Sequence, residues 1–208
     1  MFYVFPRAVA PDVCEEIVKE CKQNILKEAG VFNYPNNTPS KSQTERTTQI
    51  WVDDARVRKT KVNYIRGKDN KINGLVLSYL REANKIQFNY DLTYTQAVQF
   101  AEYSQGGHYS WHQDDIGVDK SNEIRKLSFG LALSNPDNFE GGEFQFASMF
   151  LREPMSETDK IDGEQVKKDI QAQGTVIVFD SRDFHRVTPI ISGVRHSLVA
   201  WVVGPNFK

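Results

Sequence analysis

The run Tyr103-Ser-Gln-Gly-Gly-His-Tyr-Ser-Trp-His112-Gln-Asp114-Asp115 places a histidine and an aspartate at positions i and i+2. In extended backbone alternate side chains project to the same side, so His112 and Asp114 share a face and Asp115 turns away. A second imidazole, His185, follows the β-type run Thr175–Phe179. Two imidazoles and one carboxylate on one side of a divalent ion leave three coordination positions open. That arrangement suits iron(II), which can then bind a bidentate 2-oxo acid and dioxygen, whereas a structural zinc site would close its shell. Arg195 follows His185 by ten residues, past a turn at Ser192-Gly193. A guanidinium there can meet a carboxylate as a two-pronged fork. Ser197 shares the strand face of Arg195 and can add a hydroxyl.

An isolated H-x-D carries little information; its weight comes from the later histidine and arginine. Three other groups compete for the same role. His108 sits in a glycine-loosened turn, His196 alternates to the strand face opposite Arg195, and Asp183 stands at i, i+2 to His185, where it reads as a loop cap. None of the three is expected to be a ligand. Trp111 and Trp201 read as core aromatics.

These residues need elements to position them. Asp12-Val-Cys-Glu15 has the form of a capping box, and Val13, Ile17, Val18, Cys21 and Ile25 recur at helical spacing, predicting a helix that runs to Gly30. Cys14 and Cys21 lie two turns apart on it, roughly 10 Å along the axis, too far for a disulfide, and read as buried thiols. Val31–Lys41 reads as an irregular loop before a strand at Thr47–Val52. Ile72, Leu75, Val76, Tyr79, Leu80 and Ala83 predict a second amphipathic helix. Thereafter Phe88–Tyr94, Ala97–Tyr103, Lys126–Ser134, Glu143–Phe146, Thr175–Phe179 and Arg195–Val203 are short β-type runs between turn residues. Arg152–Lys168, polar and without sustained period, reads as a surface insertion.

The whole is a mostly β fold with N-terminal helices that buttress a β-sandwich or barrel. The 208 residues suit one domain spanning 1–208, with helical support over about 11–90 and the β core over about 91–205. Lys plus Arg number 26 against 27 for Asp plus Glu, a net charge of -1. Nothing in that balance draws the protein to nucleic acid or to an anionic membrane. The apolar run Met1–Pro6 lacks a basic flank and is too short for a signal peptide or a spanning helix, so a cytoplasmic location is expected.

Residues Ala97–Pro205 resemble the prolyl 4-hydroxylase-like branch of the iron(II) and 2-oxoglutarate-dependent dioxygenases, in its bacterial and phage PKHD-type variety. Tyr103–Asp114 is similar to the family's Y-x-x-G-x-x-Y-x-x-H-x-D run, with one extra residue after Tyr103. Arg125–Asn135 followed by Phe139-Glu-Gly-Gly-Glu-Phe144 is similar to its strand and G-G-E/D turn, and His185-Arg-Val-Thr-Pro189 with Gly193-Val-Arg195-x-Ser197 completes the order. The resemblance implies a double-stranded β-helix, or jelly roll. It also implies iron(II) on His112, Asp114 and His185, and 2-oxoglutarate held by Arg195, Tyr103 and Ser197. Dioxygen is the co-reactant, succinate and carbon dioxide are released, and ascorbate is an accessory reductant. Asp114, where halogenating relatives carry Gly or Ala, points to hydroxylation. Many eukaryotic relatives place a cosubstrate tyrosine on the Leu127–Leu133 strand, where this chain has Gly130 and Ala132. Arg125 falls near the mouth where substrate enters. The implied substrate is a peptide or protein residue, proline by analogy. A nucleic-acid demethylase of the same superfamily and a non-catalytic jelly-roll binding protein stay open as readings, although no arginine follows Arg195 for the former. Nothing in the sequence sets the oligomeric state.

Overall fold

The computed structural model describes residues 1–33, 50–52, 54–65, 70–115, 123–150 and 165–207. The first half comprises β1 (Phe2–Phe5), α1 (Pro11–Cys21), β2 (Lys27–Glu28), β3 (Val31–Asn33), β4 (Ile50–Val52), β5 (Arg58–Lys59), β6 (Lys61–Ile65) and α2 (Lys71–Ala83). The second continues with β7 (Tyr94–Thr95), β8 (Val98–Tyr103), β9 (His108–His112), β10 (Glu123–Ala132), β11 (Phe139–Gly141), β12 (Phe144–Phe146), α3 (Ala147–Phe150), β13 (Val176–Asp180), β14 (His185–Val187), β15 (Ile190–Gly193) and β16 (Arg195–Pro205).

The main sheet has the order β1-β13-β10-β16-β8-β6-β2, with β7 also on β16; a second sheet has the order β12-β14-β9-β5. Every pairing is antiparallel. Alternation divides the main sheet into two faces. Val98, Phe100, Leu127, Phe129, Leu131, Val176, Val178, Leu198, Ala200 and Val202 form one core with Cys14 and Ile17 of α1 and Ile72, Val76 and Leu80 of α2. The opposite face meets the second sheet: Ala101 and Tyr103 cluster with Val187, and Ile177 and Phe179 with Phe146. Because the central strands are covered on both sides, Val176–Phe179 and Leu198–Val203 read as continuous apolar runs rather than alternating ones.

Tertiary contacts overrule several local signals. The Asp12–Glu15 capping box is not used: α1 is capped by Ala10 with no side-chain bond, Pro11 sits at its start, and Asp12 contributes as an acid in the first turn. The helix ends at Cys21, not at Gly30, because Asn63 Nδ2 donates to the Cys21 carbonyl at 2.7 Å and Lys27 then pairs with Val62 in the main sheet. Ile25, which continued the helical spacing, is 82% exposed. Phe88 ends a π-helical turn after α2 instead of opening a strand. Asn89 adopts a left-handed conformation and the Asn84 side chain bonds both Tyr90 N–H and C=O, so pairing starts only at Tyr94. Val31–Asn33 is a strand rather than loop, paired with Ile50–Val52, while 34–41 and Thr47–Gln49 lie outside the described residues. Of the Arg152–Lys168 insertion, 152–164 lies outside the described residues, whereas 165–168 is helical.

Both cysteines are buried and free. Burial, aided by Asp12 and Glu15, raises the Cys14 thiol to about 11, and burial with Glu20 raises Cys21 to about 12, which leaves both protonated and inert at neutral pH. Leu80 is fully buried between α2 and the main sheet. Leu80→Ala is expected to cost about 3 kcal/mol of unfolding free energy, read from the midpoint shift in urea melts.

Candidate active site

His112 ends β9 and His185 opens β14, and the two are directly paired across the second sheet. Asp114 lies beyond the strand end, where its N–H donates to the Ser181 carbonyl at 2.8 Å. The three side chains converge, with ligand atoms all within 4.8 Å of one another. His112 Nε2 stands 3.6 Å from Asp114 Oδ1 and His185 Nε2 stands 3.5 Å from Asp114 Oδ2. These separations are too long for good hydrogen bonds, and the buried Oδ2 has no hydrogen-bond partner among the described residues.

Each imidazole is oriented from behind by the main-chain carbonyl two residues earlier. His112 Nδ1 donates to Ser110 O at 2.7 Å and His185 Nδ1 to Asp183 O at 2.9 Å. A carbonyl can only accept, so the proton is fixed on Nδ1 and the Nε2 lone pair is aimed at the common centre. Tyr109 stacks on His112 at 3.5 Å between centroids, and Phe179 meets His185 edge-on at 4.7 Å. Burial and the neighbouring His185 push His112 down to about 3. At Asp114 burial opposes ionisation, but His185, His112 and Arg125 outweigh it and bring the carboxyl down to about 2. At neutral pH His112 is therefore a free base and Asp114 an anion, the states in which they can ligate a metal. The orphaned Oδ2 facing two imidazole nitrogens fits a divalent cation.

These side chains line a cavity of about 420 Å³ together with Tyr103, Arg195, Ser197, Arg125 and Trp201. Arg195 pairs with Tyr103 across β16 and β8, its guanidinium 5.5 Å from the tyrosine ring centre, and Nη1 donates to Ser197 Oγ at 3.5 Å. It is buried, and burial lowers its pKa. Room for its stem comes from Gly142, at φ +64°, where a Cβ would lie 2.3 Å from Ile190 Cδ1 and 3.1 Å from Arg195 Cδ. Gly130 and Ala132 face the same cavity from β10, opposite no tyrosine of their own strand.

Arg125 is partly buried, stacks on Trp201 at 4.0 Å, and donates to Gln96 Oε1 at 2.8 Å and to the Asp114 carbonyl at 3.3 Å. Trp111 instead carries Arg186 over its ring. The rival groups are engaged elsewhere: His108 with Gly106 O and Arg56 O, His196 with Ser134 and Glu102, and the Asp183 carboxylate with the Met1 amino group. Sequence reasoning missed Ser181, whose carbonyl seats Asp114, and the cavity residues Arg58, Tyr64, Gln99 and Tyr109. Only Tyr109 had a signal, as the second tyrosine of its motif.

The model of the 2OG-Fe(II) oxygenase superfamily matches residues 98–203. The chain belongs to that superfamily. Over 105 residues it is 32% identical to a PKHD-type hydroxylase of Parvibaculum lavamentivorans, covering 50% of this chain and 41% of that one. The chain spans about half the length of the curated relatives it matches. A Pseudomonas putida prolyl-4-hydroxylase superposes with a TM-score of 0.64 at 19% identity, over 97% of this chain and 91% of that one. A prolyl hydroxylase from Trichoplax adhaerens, solved with a hypoxia inducible factor oxygen degradation domain peptide fragment, gives 0.64 at 15% identity, over 97% and 82%. These likenesses show the fold, a double-stranded β-helix whose two larger sheets do not close into a barrel among the described residues. The superfamily's cofactors are Fe(II) and 2-oxoglutarate, with dioxygen as co-reactant, and the donor set of the cavity fits them.

Loss of an outer-shell partner typically weakens a metal 10- to 100-fold, so loss of a ligand should do more. Asp114→Ala is expected to weaken Fe(II) by more than roughly 100-fold in anaerobic calorimetry; unchanged affinity would remove Asp114 from the ligand set.

Proposed function

We propose that this protein is an Fe(II)- and 2-oxoglutarate-dependent dioxygenase that hydroxylates a residue of a peptide or protein, proline by analogy with its relatives. One observation carries the reading: a buried carboxylate oxygen without a hydrogen-bond partner and a buried arginine share one cavity, a cation site beside an anion site. His112, Asp114 and His185 hold the iron, and Arg195, Tyr103 and Ser197 hold the distal carboxylate of 2-oxoglutarate. When bound, these groups supply dioxygen activation, one oxygen atom entering the substrate C–H bond and the other the succinate formed as carbon dioxide leaves.

The chain's own contribution is placement. The Ser110 and Asp183 carbonyls keep both Nε2 lone pairs pointed inward, and the Ser181 carbonyl seats Asp114. Apolar walls from Phe144, Phe179, Ile177 and Val187 exclude water around the reacting centre. Arg195, at the start of β16, would anchor the distal carboxylate of the cosubstrate in the same cavity as the metal ligands. Ascorbate serves as accessory reductant. The reading takes residues 1–208 as one catalytic domain acting in the cytoplasm on a polypeptide, not on nucleic acid or at a membrane; no helix among the described residues is long and apolar enough to span a membrane. The PKHD-type relatives and the peptide-bound neighbour support a polypeptide substrate.

Purified anaerobically, given Fe(II) and 2-oxoglutarate and then exposed to oxygen, the protein is expected to release succinate. Absence of succinate, with and without candidate peptides, would sink the proposal. Arg195→Ala should raise the 2-oxoglutarate concentration for half-maximal turnover by roughly 10- to 100-fold, the worth of a charge-assisted bond; an unchanged requirement places the anion site elsewhere.

A further inference from the structure

Three buried side-chain atoms of the described residues have no hydrogen-bond partner: Asp114 Oδ2, Arg58 Nε and Trp201 Nε1. All three residues line the same cavity. The acceptor is accounted for by the metal. The two donors are not, and for Trp201 the strand geometry sets it apart from the cosubstrate anchor proposed above. Arg195 and Trp201 share a face of β16 six residues apart, roughly 20 Å along the strand, so Trp201 lies far from the arginine that anchors 2-oxoglutarate.

Arg58 lies opposite Tyr109 in the β5–β9 pair, with its guanidinium 4.6 Å from the centre of the ring that stacks on His112. One aromatic ring therefore separates it from the metal site. Its side chain is buried, at 8% exposure, and Nη2 donates to Gln99 Oε1 at 2.7 Å. Gln99, 1% exposed, passes its own Nε2 to Tyr64 Oη at 2.9 Å. Neither Gln99 nor Tyr64 carries a carboxylate. Elsewhere this protein pairs an arginine with an acid, as in Arg182 on Asp180 at 2.6 Å. Arg58 has no such counterion among the described residues, and a guanidinium stays charged at any working pH. A buried cation without an anion is costly. On the same wall Arg125 adds a second positive charge; it bonds the main-chain carbonyl of Asp114, whose carboxylate is committed to the metal, and Asp115 lines the cavity as well.

We propose that Arg58, supported by Gln99 and Tyr64, is a docking group for a carboxylate carried by the substrate, with Trp201 Nε1 as a further donor to it. The assignment rests on the dioxygenase reading and names the substrate class: a molecule or residue bearing a carboxylate close to the hydroxylated carbon. A carboxylate's two oxygens match the guanidinium fork and supply the missing counterion. The acid can come from an Asp or Glu side chain of a peptide or from a terminal α-carboxylate.

Calorimetry under anaerobic conditions, with Fe(II) and 2-oxoglutarate present and again with the metal-free protein, tests this with acid–amide pairs. Acetyl-prolyl-glutamate methylamide is compared with acetyl-prolyl-glutamine methylamide, and acetyl-proline with its methylamide. In at least one pair the acid should bind roughly tenfold tighter or more, a single charge-assisted bond's worth, and the pair that responds identifies the source of the carboxylate. Arg58→Gln should erase the preference, and Gln99→Glu, which gives Arg58 an internal counterion, should erase it with the arginine still in place. Both variants should bind Fe(II) and 2-oxoglutarate as the parent does. Equal binding of acid and amide in both pairs, no binding by any probe, or a preference that survives both substitutions overturns the proposal. Failure of the parent to bind Fe(II) or 2-oxoglutarate counts against the dioxygenase reading instead, since the acid–amide difference is also read without metal.

Discussion

A carboxylate buried with one oxygen unbonded is a standing electrostatic cost, and the site is built around holding Asp114 in that condition. The main-chain carbonyl of Ser181 seats its backbone, two imidazoles face its oxygens, and no donor among the described residues relieves Oδ2. The imidazoles in turn cannot swing to pair with it, because carbonyls grip their far nitrogens and aromatic rings pack their faces. Only a cation from outside satisfies all three. Stability is supplied elsewhere, by the apolar face of the main sheet against α1 and α2.

That division runs along single strands. On β16, Leu198, Ala200 and Val202 belong to the core, while Arg195, Ser197 and Trp201 face the cavity. Substitutions at Ala200 and Val202 should act chiefly on stability and those at Arg195 and Ser197 chiefly on the cavity, while Leu198 touches both. Gly142 serves both groups, since a Cβ there would meet Ile190 first and the stem of Arg195 next.

How much of this was legible in the sequence depended on the range of the interaction. Strand parity grouped Arg195 with Ser197, because alternation is a local rule, whereas Asp114 reaches His112 from beyond the end of β9, seated by the Ser181 carbonyl. The pairing of His185 with His112 is long-range, and only the order of the motifs signalled it. Arg58 was invisible: it sits in a two-residue strand, too short for any period, and its relation to Gln99 and Tyr109 exists only once β5 pairs with β9. The end of α1 failed for a similar reason. Its apolar spacing continues through Ile25, but a distant side chain, Asn63, closes the helix four residues earlier. β1 escaped notice as a strand because it is defined by its register on β13.

The position of β16 in the main sheet also sets an order of events during synthesis. It lies between β10 and β8, joining the two halves of the sheet, yet it is made after the other described strands of that sheet. As the chain leaves the ribosome, α1, α2 and both halves of the sheet are present without the strand that seals them, and the edges of β8 and β10 stay open until it arrives. Until β16 is made, the main sheet has neither its joined core nor the buried Arg195, and that one strand delivers both in one step.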